Sequence, residues 1–158
     1  MTNPPRILCL GEILFDLLAD RPGQQLSEVQ SWTSYPGGAL ANVASALVKL
    51  GTPTAFIGCV GKDEPGNQLV QLLESIGVDT KGVQRHPTAP TRKVYVLLSE
   101  QNDRSFAGFG SLQPDRFADA YLNGSALPEQ LFLDAEYLVL GTLELAYPQT
   151  RAAVFRAL

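Results

Sequence analysis

The chain has 158 residues, enough for one domain with a real core. Apolar residues make up 45% and charged residues only 18%, which excludes a disordered tail; the formal charge of −4 gives no electrostatic reason to bind nucleic acid. The first apolar run is interrupted by Glu12 and Asp16, which excludes a signal peptide or a membrane span. Cys9 and Cys59 both sit in strand-like runs, so reduced, buried thiols and a cytoplasmic location are expected rather than a disulfide.

In chain order, Arg6 to Leu10 reads as a short buried strand ending at Gly11-Glu12. Ile13 to Leu18 continues apolar around a single carboxylate, Asp16, and edge strands are expected up to Tyr35-Pro36. Gly37-Gly38 then leads into a helix that ends near Leu50. Leu40, Val43, Leu47 and Leu50 share one stripe, with alanine and valine over most of the rest. That composition predicts a helix packed on a sheet and covered again from above. Thr54 to Val60 reads as a second buried strand. Asp63 caps a helix with the stripe Leu69, Leu72, Leu73 and Ile76, closed by Gly77. Strand, helix, strand, helix is the α/β pattern with a parallel sheet.

Further on, Lys93 to Leu98 and Ser105 to Phe109, joined around Asn102-Asp103, read as an antiparallel hairpin. With the candidates at 13–18 and 28–35 it predicts a small antiparallel second sheet beside the core. Asp115 to Leu122 and Pro128 to Phe132 read as short helices, Tyr137 to Leu140 as a third core strand, and a helix begins near Pro148. The expected organisation is one domain over 1–158, with its α/β core at 5–12, 37–78 and 113–158 and its second sheet at 13–36 and 80–110. Three core strands leave much apolar sheet uncovered, and the last helix lacks a stop signal, so a truncated fold is expected.

Glu12, Asp16, the Gly37-Gly38 turn, Asn42 and Glu144 all fall at or after strand ends, where open parallel sheets bind ligands. Asp16 is the sharpest of them, because a carboxylate among Ile13, Leu14, Phe15, Leu17 and Leu18 is costly to bury without donors. Sugar hydroxyls would serve, and so would an internal arginine or backbone N–H. The turn before the helix offers open N–H groups, and Asn42 adds an amide that donates and accepts. There is no Gly-x-x-x-x-Gly-Lys-Ser/Thr phosphate loop and no complete dinucleotide fingerprint. His86, the single histidine, has no metal-ligand spacing and is expected on an exposed loop.

These residues resemble the PfkB (ribokinase-like) carbohydrate kinases. Gly37-Gly38-Ala39-Leu40-Ala41-Asn42-Val43-Ala44 is similar to the family's N-terminal signature, Gly51 and Gly61 fall at its later glycines, and Gly61-x-Asp63-x-x-Gly66 is in its style. Gly11-Glu12-x-x-x-Asp16 resembles the opening of the fructokinase branch, and the similarity runs through all 158 residues. Leu40 departs from the pattern, which usually has proline, alanine or glycine there, so the helix start or the substrate fit is expected to differ.

The resemblance implies a ribokinase-like parallel sheet flanked by helices, with a β lid, and phosphoryl transfer from ATP with Mg2+ to a sugar hydroxyl. It implies that Asp16, Gly37, Gly38 and Asn42 hold the sugar, with Glu144 a further contact. It also implies a possible pairing of two subunits through the lid. The family's catalytic aspartate, in a Gly-Ala-Gly-Asp motif, and most of its nucleotide site belong to a C-terminal half that this sequence lacks. No catalytic residue is therefore assigned, and the chain alone is expected to transfer nothing. Two readings follow: the N-terminal part of a fructokinase-like kinase, completed by a second half, or a non-catalytic sugar-binding or dimerising module. A dinucleotide-binding protein is disfavoured for want of its fingerprint.

Overall fold

Alternating strands and helices make up the computed structural model, which describes residues 4–158. In order they are β1 (Ile7–Leu10), β2 (Leu14–Ala19), β3 (Trp32–Gly37), α1 (Ala39–Lys49), β4 (Thr54–Gly61), α2 (Glu64–Ile76), β5 (Asp79–His86), β6 (Lys93–Leu98), β7 (Arg104–Gly108), α3 (Glu129–Asp134), β8 (Tyr137–Leu140) and α4 (Pro148–Ala157). Four strands form a parallel sheet in the order β5-β4-β1-β8. Side-chain alternation splits its residues between two cores. Cys9, Phe56 and Val60 meet Leu40, Ala41 and Ala44 of α1 and Leu69, Val70 and Leu73 of α2. Leu8, Leu10, Ala55, Ile57 and Cys59 meet Ala118, Leu122, Leu131, Ala153 and Val154 on the other face. Cys9 and Cys59 are buried free thiols.

The chain runs from β1 to β4 to β5 on one side, then returns to place β8 on the other side of β1. The space beyond β1 is thus a topological switch point, where a crevice opens between diverging connections. Short 3-10 turns at Pro114–Arg116, Ala118–Tyr121 and Gly124–Ala126, together with α3, fill the stretch expected to hold short helices.

Three expectations need correction. The parallel sheet has a fourth strand, β5, so residues 79–86 belong to the core and the lid does not begin at 80. Asp-Thr-Lys-Gly-Val-Gln-Arg-His carries no apolar run because β5 is an edge strand with one neighbour, and its side chains are mostly half-buried. The second sheet, β3-β2-β6-β7, is mixed rather than antiparallel, since β2 and β6 run parallel. Each follows a strand of the parallel sheet, β1 or β5, and so leaves that sheet in the same direction. Helix α1 is not covered from above: its inner face is Leu40, Ala41 and Ala44, while Val43 is 38% and Leu50 82% exposed.

No helix among the described residues is long and apolar enough to cross a membrane. Of the single domain expected over 1–158, residues 1–3 lie outside the described part.

Candidate functional site

Gly37 closes β3 and Gly38 precedes α1 with a φ of 106°, which residues bearing a Cβ rarely adopt. A Cβ on Gly38 would run into the Glu12 carbonyl oxygen and stand 2.9 Å from Ile13 Cα. The helix therefore starts hard against the backbone joining β1 to β2. A Cβ on Gly37 would stand 2.5 Å from Asp16 Oδ2, so the Asp16 carboxylate rests on bare main chain at the turn. Strand pairing sets this contact: Asp16 sits opposite Tyr35 on β3, two residues before Gly37.

Asp16 is half-buried. Burial pushes its carboxyl above the ordinary carboxylate range and the Arg104 charge pulls it back, with no hydrogen-bond donor involved. Asn42, one turn into α1, is exposed, and its backbone N–H donates to Gly38 O at 3.0 Å. The Asp16 carboxylate thus meets the Gly37-Gly38 turn at the base of the lid, with Asn42 one helical turn further on.

The two glutamates behave differently. Glu12 is buried, and its Oε1 accepts the Ala39 N–H at 2.7 Å, so one open donor at the start of α1 is already taken. Glu144 lies in the 3-10 turn Leu143–Leu145 after β8 and is 3% exposed. Burial first, and the neighbouring Glu12 carboxylate second, push its carboxyl up to about 8, so it is protonated at neutral pH. Its Oε2 is buried without a hydrogen-bond partner. Glu144 thus stands behind the turn, beside Glu12, rather than on the open surface with Asp16.

A buried ion pair near the lid base gave no signal in the sequence. Arg92, 2% exposed and just before β6, donates to both Asp119 oxygens at 2.5 and 2.8 Å and to Pro114 O at 2.9 Å. The rings of Phe117, Phe109 and Tyr147 enclose its guanidinium at 4.8, 5.1 and 5.4 Å. Burial drives the Asp119 carboxyl up, and the Arg92 hydrogen bonds and charge pull it back. Next to Lys93 in the sequence, Arg92 looks like one more solvated cation; only the fold turns it inward. The pair joins the lid to the turns that precede β8, and Phe15 N–H donates to Arg92 O at 3.1 Å beside Asp16.

Asp63 does cap α2: its Oδ1 accepts the Gly66 N–H at 2.9 Å. Its side chain also takes the Thr91 N–H at 2.8 Å and the Thr91 hydroxyl at 2.6 Å. Burial would raise this carboxyl, but those bonds and the Lys93 charge hold it below the ordinary range. His86, expected on an exposed loop, ends β5 instead. Its Nδ1 accepts the Ala89 N–H at 2.7 Å, and its ring lies 4.9 Å from that of Tyr121.

A parallel sheet between helix layers and a small second sheet rising from its strand ends define an α/β fold with a lid. Residues 4–158 match the pfkB family of carbohydrate kinases, and the chain belongs to that family. It is 36% identical over 158 residues to probable fructokinase-5 of Arabidopsis thaliana, covering 100% of this chain and 48% of that protein. The crystal structure of fructokinase from Xylella fastidiosa is 31% identical with a TM-score of 0.81, covering 96% of this chain and 46% of that one. The structure of the Xylella fastidiosa fructokinase with bound ATP superposes with a TM-score of 0.79, at 31% identity, over 96% of this chain and 44% of that one. The chain spans about half the length of the curated relatives it matches.

Proposed function

We propose that this chain is the sugar-binding part of a fructokinase-like carbohydrate kinase, which transfers the ATP γ-phosphoryl group to a sugar hydroxyl. The observation that carries the reading is Asp16: a half-buried carboxylate, laid on the bare Gly37 backbone, with no donor of its own. A carboxylate accepts two hydroxyls at once, which suits a vicinal polyol. In this reading Asp16 orients the sugar, Gly37 and Gly38 let it approach the main chain, and Asn42 donates and accepts at the rim. Glu144 supports the turn from behind. The mixed sheet acts as the lid that excludes water from the bound sugar.

ATP and Mg2+ belong to the proposed reaction. This chain's residues do not fit a whole site for them. Among the described residues no group of three or more His, Cys, Asp or Glu side chains could hold a metal ion, and no Gly-rich phosphate loop occurs. We assign the nucleotide and the catalytic base to a complementing C-terminal half, and no step is routed through them here. The β8 edge of the parallel sheet, paired on one side only and with Tyr137 63% exposed, is where such a half would add its strands.

A second reading, a dimerising module, has its own observation. Register puts Asp16, Leu18, Tyr35, Val94, Val96 and Phe106 on one face of the lid, with Tyr35 51% and Phe106 64% exposed. Two such faces could pair. Free thiols fit a reducing, cytoplasmic setting.

Thermal denaturation of the 158-residue chain with a panel of hexoses and pentoses tests the sugar reading. A ketohexose is expected to raise Tm and Asp16→Ala to abolish the rise. A rise that survives in Asp16→Ala removes this carboxylate from the site, and no rise with any sugar rejects the reading.

A further inference from the structure

The side chain of Leu40 fills the switch point itself. A Cβ on Gly11, just after β1, would stand 2.5 Å from Leu40 Cβ and Cγ; one on Gly141, just after β8, would stand 2.8 Å from Leu40 Cδ2. Leu40 is 4% exposed and plugs the gap between the two strand ends. The Glu144 carboxyl crowds the same side of Gly141 as the Leu40 methyl. Its Oε2 has no hydrogen-bond partner, and native interiors rarely leave such an atom unmatched. The methyl beside it offers no hydrogen bond. Two carboxyl groups therefore flank the Gly37–Leu40 turn, Asp16 half-buried on the lid side and Glu144 sealed on the core side.

We propose that Leu40 determines specificity by closing the inner end of the polyol pocket, so that Asp16 and Asn42 alone grip the sugar and Glu144 receives no hydroxyl. The proposal rests on the sugar reading of the site. Its physical basis is that the Leu40 methyl and the unpartnered Glu144 Oε2 press on the same side of Gly141, at the strand end where the crevice opens. A smaller side chain would open room for a water or a sugar hydroxyl, and the waiting Oε2 would bind it. The pocket of this chain then recognises hydroxyls on one edge of the sugar, while the opened pocket recognises a second set.

The test uses Leu40→Ala and the milder Leu40→Val in the 158-residue chain, with and without Glu144→Gln. Carbon-detected NMR follows the Glu144 carboxyl through pH, and isothermal titration measures affinity across hexoses and pentoses. Opening the seal is expected to lower the Glu144 midpoint from about 8 toward the ordinary carboxylate range, because water reaches the group. It is also expected to raise affinity for at least one sugar tenfold, a gain that Glu144→Gln cancels. A Glu144 midpoint that stays put in a folded Leu40 variant overturns the seal. A midpoint that falls without any change in sugar preference overturns the specificity role. Should neither the parent nor the variants bind any sugar, the sugar reading fails and the specificity role with it, while the midpoint alone still decides whether Leu40 is a seal.

Discussion

Replacing Glu144 with glutamine should markedly flatten the fall of stability between pH 5 and 8. The carboxyl is held at about 8 in the folded chain against an ordinary 4.5, so between those values the native state binds more protons than the unfolded state. Stability therefore falls as pH rises through that window and levels off above it. The difference of 3.5, at about 1.36 kcal/mol per pH unit, sets a ceiling of about 5 kcal/mol. Asp16 and Asp119, also raised by burial, tilt stability the same way. Glutamine keeps the shape, donates to Glu12 and cannot ionise. Urea unfolding at half-unit steps from pH 5 to 9 should show the parent losing several kcal/mol. Glu144→Gln should show a clearly shallower slope over this range and be the more stable chain at pH 8.5. A variant with the parent's slope would show that Glu144 ionises freely and that the buried carboxyl pair is not as described.

Arg92→Leu should cost about 3–5 kcal/mol in urea unfolding, because it strands the buried Asp119 carboxylate, and the double change Arg92→Leu with Asp119→Leu should recover much of it. Asp63→Ala should cost about 2 kcal/mol or more, since it removes a helix cap and two bonds to Thr91 together; amide exchange should rise first at the start of α2 and at Thr91. Leu50→Ser should change stability by less than about 0.5 kcal/mol, because Leu50 is 82% exposed. Sedimentation should show Phe106→Asp weakening any self-association while leaving the thermal midpoint nearly unchanged, because Phe106 is 64% exposed on the open lid face.

Much of this architecture is legible in the sequence wherever burial is one-sided or complete. The runs at Ile7–Leu10 and Thr54–Gly61 are apolar because both of their faces are covered, and the Asp63 cap and the Gly77 stop frame α2 as their chemistry demands. An isolated carboxylate in an apolar run calls for a polar partner, yet Asp16 lies against the bare Gly37 main chain with no donor on it. What the sequence hides depends on long-range partners. β5 is polar because it is an edge, Arg92 is buried because three rings from distant segments close over it, and α1 leaves the apolar Val43 exposed. Glu144 is the instructive case. Its position after a strand end places it near the crevice, but only the packing of Leu40 and Glu12 shows it sealed and protonated.

The central claim is that a polyol sits on the Gly37–Gly38 turn under the Asp16 carboxylate. An amide-resolved NMR titration of the 158-residue chain with fructose tests it most directly. The account predicts the largest shifts at Asp16, Gly37, Gly38, Ala39 and Asn42, saturating together and absent in Asp16→Ala. Saturating shifts centred elsewhere, or none at millimolar sugar, would contradict it.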